Sequence, residues 1–202
     1  MTSGSTNPLC GLVLAGGRSI RMGSDKAALQ HPDGRALARR CSDLLADAGC
    51  DTVVLSLRYD QEIPPGFVNR SGVLIARDPE GGSEGPLAGM LAAMRLRPDA
   101  DWLVLACDLP RLDRSTLVHL ISSRKTGEKF LSFRSEFDGL PEPLCALYAA
   151  DALPILEAAH AKDFRCPRKV LIGNDCRLLA PVTPRALENA NTPEDWEFAR
   201  KP

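Results

Sequence analysis

The residues from Leu14 to Lys26, LAGGRSIRMGSDK, set three glycines, two arginines and a lysine directly behind a run of small apolar residues. Cys10 to Ala15 suit a buried strand, and Gly16-Gly17 then let the backbone approach a ligand with no Cβ in the way. Consecutive amides exposed at such a turn hydrogen-bond phosphate oxygens. Arg18, Arg21 and Lys26 add cationic groups over the same turn, the neutralisation a polyphosphate needs while a phosphorus centre is attacked. Asp25 is placed to orient the Lys26 amine. The chemistry is that of a nucleotide phosphate clamp, set against the plainer reading of a strand-to-helix turn with solvated charges. Spacing excludes two better-known phosphate loops. The Walker pattern needs a lysine directly after its second glycine and then a hydroxyl, whereas Gly23 is followed by Ser24-Asp25-Lys26 and then Ala27. The dinucleotide fingerprint G-x-G-x-x-G is also absent.

Two carboxylates accompany the clamp. Asp108 follows the apolar run Leu103 to Ala106, which puts its carboxylate at the sheet edge where phosphates would lie, a position suited to Mg²⁺. The competing reading makes Asp108 a helix N-cap before Pro110 and Leu112. Asp78 ends another short apolar run and leads through Pro79-Glu80-Gly81-Gly82 to Gly85-Pro86-Leu87-Ala88-Gly89 at a helix start. Pro86 fits the first helical turn, while Gly89 costs about 1 kcal/mol relative to alanine and marks a close approach, by a ligand or by the sheet. Asn189 and Asn191 fall on one side if Asn189-Ala190-Asn191 is a strand, where their amides can read a heterocycle; otherwise they form a turn before a capped helix at Thr192-Pro193-Glu194-Asp195. His31, His119 and His160 have no paired ligand spacing and read as surface or packing residues. No Ser-His-Asp or Cys-His set stands out.

The elements that must position these groups alternate. Strands are expected at Gly11 to Ala15, Thr52 to Leu57, Val73 to Ala76 and Trp102 to Ala106, and helices at Ala36 to Ala48, Pro86 to Arg95 and Ser115 to Ser123. Uniformly apolar strands predict burial on both faces, hence a Rossmann-like, doubly wound α/β sheet, mostly parallel, with its ligand at the strands' carboxyl ends. Beyond Arg124 the pattern loosens: strands at Lys129 to Phe133 and Cys145 to Ala149 and helices at Asp151 to Ala161 and Glu194 to Lys201 predict an antiparallel portion. Residues 58–72 are too broken for a regular element. The 202 residues, 44% hydrophobic, are expected to form one domain over 1–202, with residues 1–8 a disordered N-terminus. A net charge of −1 argues against wrapping nucleic acid. Seven scattered cysteines without a C-x-x-C pair indicate neither disulfides nor zinc. The polar start MTSGSTNP and the absence of a long apolar run predict no membrane association and a cytoplasmic location.

At these residues the chain resembles the MobA-type nucleotidyltransferases, the molybdenum cofactor guanylyltransferases. LAGGRSIRMGSDKA looks like that family's signature, and Asp78, Gly85 to Gly89, Cys107-Asp108-Leu109-Pro110 and Asn189 to Asp195 resemble its later blocks in order. The resemblance implies a nucleotide-diphospho-sugar transferase-like fold and an Mg²⁺-dependent transfer of GMP from GTP to the phosphate of Mo-molybdopterin, releasing pyrophosphate. It implies catalytic roles for Lys26, Arg21 and Asp108, with Asp108 as metal ligand. Nucleotide contacts fall to Leu14, Ala15, Gly16, Gly17, Lys26, Ser56, Asp78 and Asp108. Acceptor contacts fall to Gly85, Gly89, Asn189 and Asn191. Molybdoenzyme apoproteins or their chaperones would receive the product. Arg168 and Lys169 match the family's basic acceptor residues only loosely. Ser56 stands where similar enzymes often have asparagine, and its shorter side chain puts a direct base contact in doubt. LAGG resembles the guanylyl branch, where cytidylyl relatives more often read LAAG. A cytidylyltransferase on the same acceptor, a sugar-1-phosphate nucleotidyltransferase and a non-catalytic pterin carrier are the alternatives.

Overall fold

The computed structural model describes residues 7–17, 26–68, 70–80 and 85–199, with side chains at all of these except Lys26, Pro193, Phe198 and Ala199. Strands β1 (Leu9–Leu14), β2 (Thr52–Leu57), β3 (Val73–Arg77) and β4 (Asp101–Ala106) arise where apolar and β-branched residues predominate. With β5 (Phe130–Arg134), β6 (Pro141–Tyr148) and β7 (Arg177–Leu179) they build a seven-stranded sheet in the order β3-β2-β1-β4-β6-β5-β7. β6 runs antiparallel to both β4 and β5, and the other pairings are parallel. The expected mostly parallel, doubly wound α/β fold with an antiparallel portion is what forms.

The strands' period of two divides the core. Val13, Val53, Leu55, Leu103, Leu105, Leu131, Phe133 and Leu147 face α1 (Leu37–Asp47) and α3 (Arg114–Ser122). Leu12, Val54, Trp102, Val104, Phe130 and Tyr148 face α2 (Pro86–Met94), α4 (Leu153–Ala161) and α5 (Pro167–Ile172). Local signals set the ends. Gly49, at φ +103, closes α1 as its amide and that of Cys50 bond Ala46 O and Leu45 O at 3.0 and 3.1 Å. Asp113 caps α3, accepting from the Thr116 amide at 2.7 Å.

Three expectations and two of the alternative readings change. Asp108 does not cap α3, since Asp113 fills that place. Asn189 to Asn191 is not a strand but an irregular segment before α6 (Pro193–Ala199). Asn7 and Pro8 are anchored rather than loose: the Asp101 amide bonds Pro8 O at 2.9 Å, and Asn7 Nδ2 bonds Asp101 Oδ1 at 3.3 Å. The helix expected from Asp151 splits into a 3-10 turn at Ala150–Ala152 and α4, with Pro154 in its first turn. β6 also starts four residues before the expected Cys145. Pro141 and Pro143 lie beyond its pairing with β4, beside an irregularity between Ser132 and Arg134 of β5, where missing amides cost no regular ladder bond.

Candidate active site at the carboxyl edge

Chain order runs β1-β2-β3 in one direction and resumes with β4 on the other side of β1, so the sheet's switch point lies between β1 and β4. Ligand crevices of open α/β sheets form there, beyond the strands' carboxyl ends. Register aligns those ends. Leu14 pairs with both Ser56 and Ala106, Ser56 with Ala76 and Leu57 with Arg77. The next residues continue the row: the Ala15 amide bonds Ser56 O at 3.0 Å, the Asp78 amide bonds Leu57 O at 3.0 Å, and the Cys107 amide bonds Leu14 O at 3.4 Å. Asp78, Arg58, Gly16 and Asp108 therefore follow the ends of β3, β2, β1 and β4 side by side. Three interstrand spacings of about 4.8 Å separate the outer two, roughly 14 Å. One row thus spans a span comparable to an extended nucleotide.

The glycine turn is held from β2. Arg58 Nη1 donates to Gly16 O at 3.0 Å and Gly17 O at 3.1 Å, and Gln61 Nε2 donates to Ala15 O at 3.0 Å. Arg77 Nη1 donates in turn to Arg58 O and Gln61 O at 2.9 and 2.7 Å. A Cβ on Gly16 would meet the Arg58 backbone nitrogen at 3.3 Å, whereas among the described residues one on Gly17 would meet nothing within 4 Å. Glycine at 16 answers to the protein's own packing.

Asp78 is half-buried, and among the described residues no donor reaches its buried Oδ1. Burial raises its pKa, partly opposed by the Arg58 charge. A carboxylate oxygen kept from water without a donor is suited to a ligand that brings its own N–H or O–H. Ser56 is 2% exposed and lies under α2: a Cβ built on Gly89 would come within 2.6 Å of Ser56 Oγ, 3.1 Å of Leu14 Cδ2 and 3.6 Å of Asp78 Oδ1. Gly89 thus lets α2 settle on the sheet, and Ser56 is covered by that helix. Gly85, exposed at φ +119, precedes Pro86 at the start of α2, where a Cβ would meet the Arg165 carbonyl oxygen at 3.4 Å.

Asp108, half-buried, is joined to the C-terminal segment, for the Ala190 amide donates to Asp108 O at 2.9 Å. Ala190 is buried with Leu37 and Trp196, which leaves Asn189 exposed and Asn191 part-buried beside the Asp108 loop. Asp195 Oδ2 accepts from the Asn191 and Thr192 amides at 2.9 and 3.0 Å, and the Asp195 amide donates to Thr192 Oγ1 at 3.1 Å, a reciprocal cap for α6. Arg168 is committed to Asp138 and Glu142, at 2.8 and 3.2 Å. Lys26 opens a 3-10 turn, Lys26–Ala28. Arg18, Arg21 and Asp25 lie outside the described residues. No three His, Cys, Asp or Glu side chains converge as a metal cage among the described residues. Magnesium does not require one, since it takes one or two carboxylates together with water and substrate phosphates, and Asp108 beside the glycine turn fits that donor set. Cys41 and Cys50 are pushed up to about 12 by burial and cannot act as thiolate nucleophiles.

Sequence reasoning missed Arg58, Gln61 and Arg77, which shape the clamp from behind. A signal was present: Arg58 is the first residue after β2, two residues beyond the buried Ser56.

A glycine turn at the switch point, with acidic residues at both ends of the row, defines a nucleotide-handling α/β enzyme domain. The chain belongs to the MobA-like NTP transferase domain family, which it matches over residues 11–176, and it is accordingly a nucleotidyltransferase. It is 35% identical over 198 residues to the molybdenum cofactor biosynthesis bifunctional protein of Synechocystis, covering 95% of this chain and 54% of that one. The chain thus spans about half the length of that relative. It is 31% identical to a molybdenum cofactor guanylyltransferase of Pseudomonas putida, over 91% of this chain and 93% of the relative. The structure of molybdopterin-guanine dinucleotide biosynthesis protein A from Archaeoglobus fulgidus superposes with a TM-score of 0.75 at 25% identity, covering 95% and 96% of the two chains. No helix of the described residues is long and apolar enough to cross a membrane.

Proposed function

We propose that the chain transfers GMP from GTP to the terminal phosphate of Mo-molybdopterin, forming the guanine dinucleotide cofactor and pyrophosphate. The observation that carries this reading is the single row of Asp78, Arg58, Gly16-Gly17 and Asp108 at the carboxyl edge, in a chain whose relatives are named for guanylyl transfer. The base and sugar lie toward Asp78, whose buried Oδ1 accepts from the ligand. The phosphates lie over the turn Ala15-Gly16-Gly17, with Arg21 and Lys26 neutralising their charge and Asp108 holding Mg²⁺. Bound there, Mg²⁺ supplies charge neutralisation for the departing pyrophosphate.

The acceptor phosphate is already an anion and needs no protein base, so positioning and electrostatics carry the rate. Asn189, Asn191 and Gly85 border the acceptor side. Ser56, covered by α2, supports the nucleotide pocket through packing. Seven free cysteines suit a reducing, cytoplasmic setting. Calorimetry with GTP, CTP, UTP and ATP in the presence of Mg²⁺ tests the reading. Selective GTP binding is expected; a preference for CTP would move the assignment to cytidylyl transfer, and no nucleotide binding would favour a pterin carrier.

A further inference from the structure

His31 belongs to no ligand spacing in the sequence and to no step described above, yet its ring joins the two segments that carry the chemistry. The segment opening with the Lys26–Ala28 turn leads into a short bridge between Gln30 and Ala36, closed by the Leu37 amide on Leu29 O and the His31 amide on Arg35 O, both at 2.8 Å. Gly34, at φ +84, allows the reversal. Inside this turn the Asp33 amide donates to His31 Nδ1 at 3.2 Å. A neutral imidazole carries one N–H, so an accepting Nδ1 puts the proton on Nε2. That nitrogen lies 3.1 Å from the carbonyl of Pro110, two residues beyond Asp108, and donates to it. The Asp33 carboxylate also stands 3.0 Å from Nδ1. In a charged ring Nδ1–H donates to that carboxylate, and Nε2 still donates to Pro110.

The Asp108 loop is held at every second carbonyl by a different part of the chain. Ala190 N–H bonds Asp108 O at 2.9 Å, His31 Nε2 bonds Pro110 O, and Arg40 Nη2 bonds Leu112 O at 2.6 Å. Of these three struts only His31 comes from the segment that carries Lys26.

We propose that His31 is a positioning residue, fixing the Asp108 loop relative to the Lys26 segment so that a cation at Asp108 meets phosphates lying over the glycine turn. The inference rests on Asp108 being the cation's carboxylate. Its test is the gain in GTP affinity that Mg²⁺ confers, measured by calorimetry on the full chain with and without Mg²⁺. Four proteins are compared: wild type, Asp108→Ala, His31→Asn and His31→Gln. Asparagine keeps an acceptor near the Asp33 amide but is too short to reach Pro110, whereas the glutamine amide can reach it. Asp108→Ala is expected to abolish the Mg²⁺-dependent gain. His31→Asn is expected to cut it about tenfold, the scale of one lost hydrogen bond, with Mg²⁺-free GTP affinity kept and the melting temperature lowered by no more than about 4 °C. His31→Gln is expected to restore it. If Asp108→Ala retains the gain, the metal reading fails and the proposal with it. If Asp108→Ala loses the gain and His31→Asn keeps it, the strut alone is overturned. An equal loss of affinity with and without Mg²⁺ in His31→Asn would make His31 a general packing residue and also overturn the proposal, as would failure of His31→Gln to recover.

Discussion

Replacing Gly89 by alanine tests whether helix-on-sheet contact sets the nucleotide edge. The new Cβ would stand 2.6 Å from Ser56 Oγ and 3.1 Å from Leu14 Cδ2. Ser56 is 2% exposed, so either its hydroxyl rotates within a filled core or α2 lifts from the sheet. Overpacking of this kind costs about 1–3 kcal/mol. Alanine in a helix interior recovers about 1 kcal/mol over glycine. The net loss should be about 1 kcal/mol, which for a chain of this length lowers the melting temperature by about 2–4 °C. Ser56→Ala removes the closest clashing atom. In that background Gly89→Ala should be neutral or stabilising, a coupling of about 1–2 kcal/mol in a double-mutant cycle. Urea unfolding of the four proteins measures the coupling, and GTP titration of the same samples reports the site. Since Asp78 Oδ1 is the next atom along, at 3.6 Å from that Cβ, a lifted α2 should weaken GTP binding in Gly89→Ala and restore it in the double variant. If Gly89→Ala is equally tolerated with and without the serine hydroxyl, the packing argument is wrong and the glycine is there for the ligand.

Asp78→Asn should stabilise the protein at neutral pH. Burial raises the native carboxyl's pKa above its unfolded value, so the ionised native state carries a penalty that is complete above the folded pKa and fades as pH falls toward the unfolded value, about 3.9. The difference in melting temperature between variant and wild type should therefore shrink between pH 7.5 and pH 4, while GTP affinity in the variant falls. Arg58→Lys keeps a charge but loses the paired bonds to Gly16 O and Gly17 O; GTP affinity should fall about tenfold by titration, the worth of about 1.4 kcal/mol in charge-assisted hydrogen bonding. Asp113→Ala removes the α3 cap and should cost about 1 kcal/mol in urea unfolding with GTP binding unchanged.

What was legible in the sequence follows from how local each signal is. TVVLSL, mostly apolar and rich in β-branched residues, marks β2 at its observed bounds, Thr52–Leu57. The glycine turn behind β1 is equally local. The six residues of α5 and the three of β7 are too short to carry a period, and Pro141 and Pro143 conceal the first half of β6 because the sheet irregularity that admits them is a tertiary feature. Asp108 and Asp113 are both plausible caps by type, and only the Thr116 amide decides between them. Arg58 and Gln61 read as broken loop, since their partners, the carbonyls of residues 15–17, are more than forty positions away. The alternation of Asn189 and Asn191 suggested a strand, but Ala190 bonds a turn carbonyl of Asp108 rather than a neighbouring ladder.

The most direct measurement follows the α-phosphate. The purified protein is mixed with Mg²⁺, Mo-molybdopterin and either GTP or CTP labelled at that phosphate, and the label is sought in the pterin product. Guanylyl transfer predicts label in a pterin dinucleotide from GTP, with equimolar pyrophosphate, and none from the Asp108→Ala or Lys26→Ala variants. Transfer from CTP instead, or no transfer from either nucleotide, would contradict it.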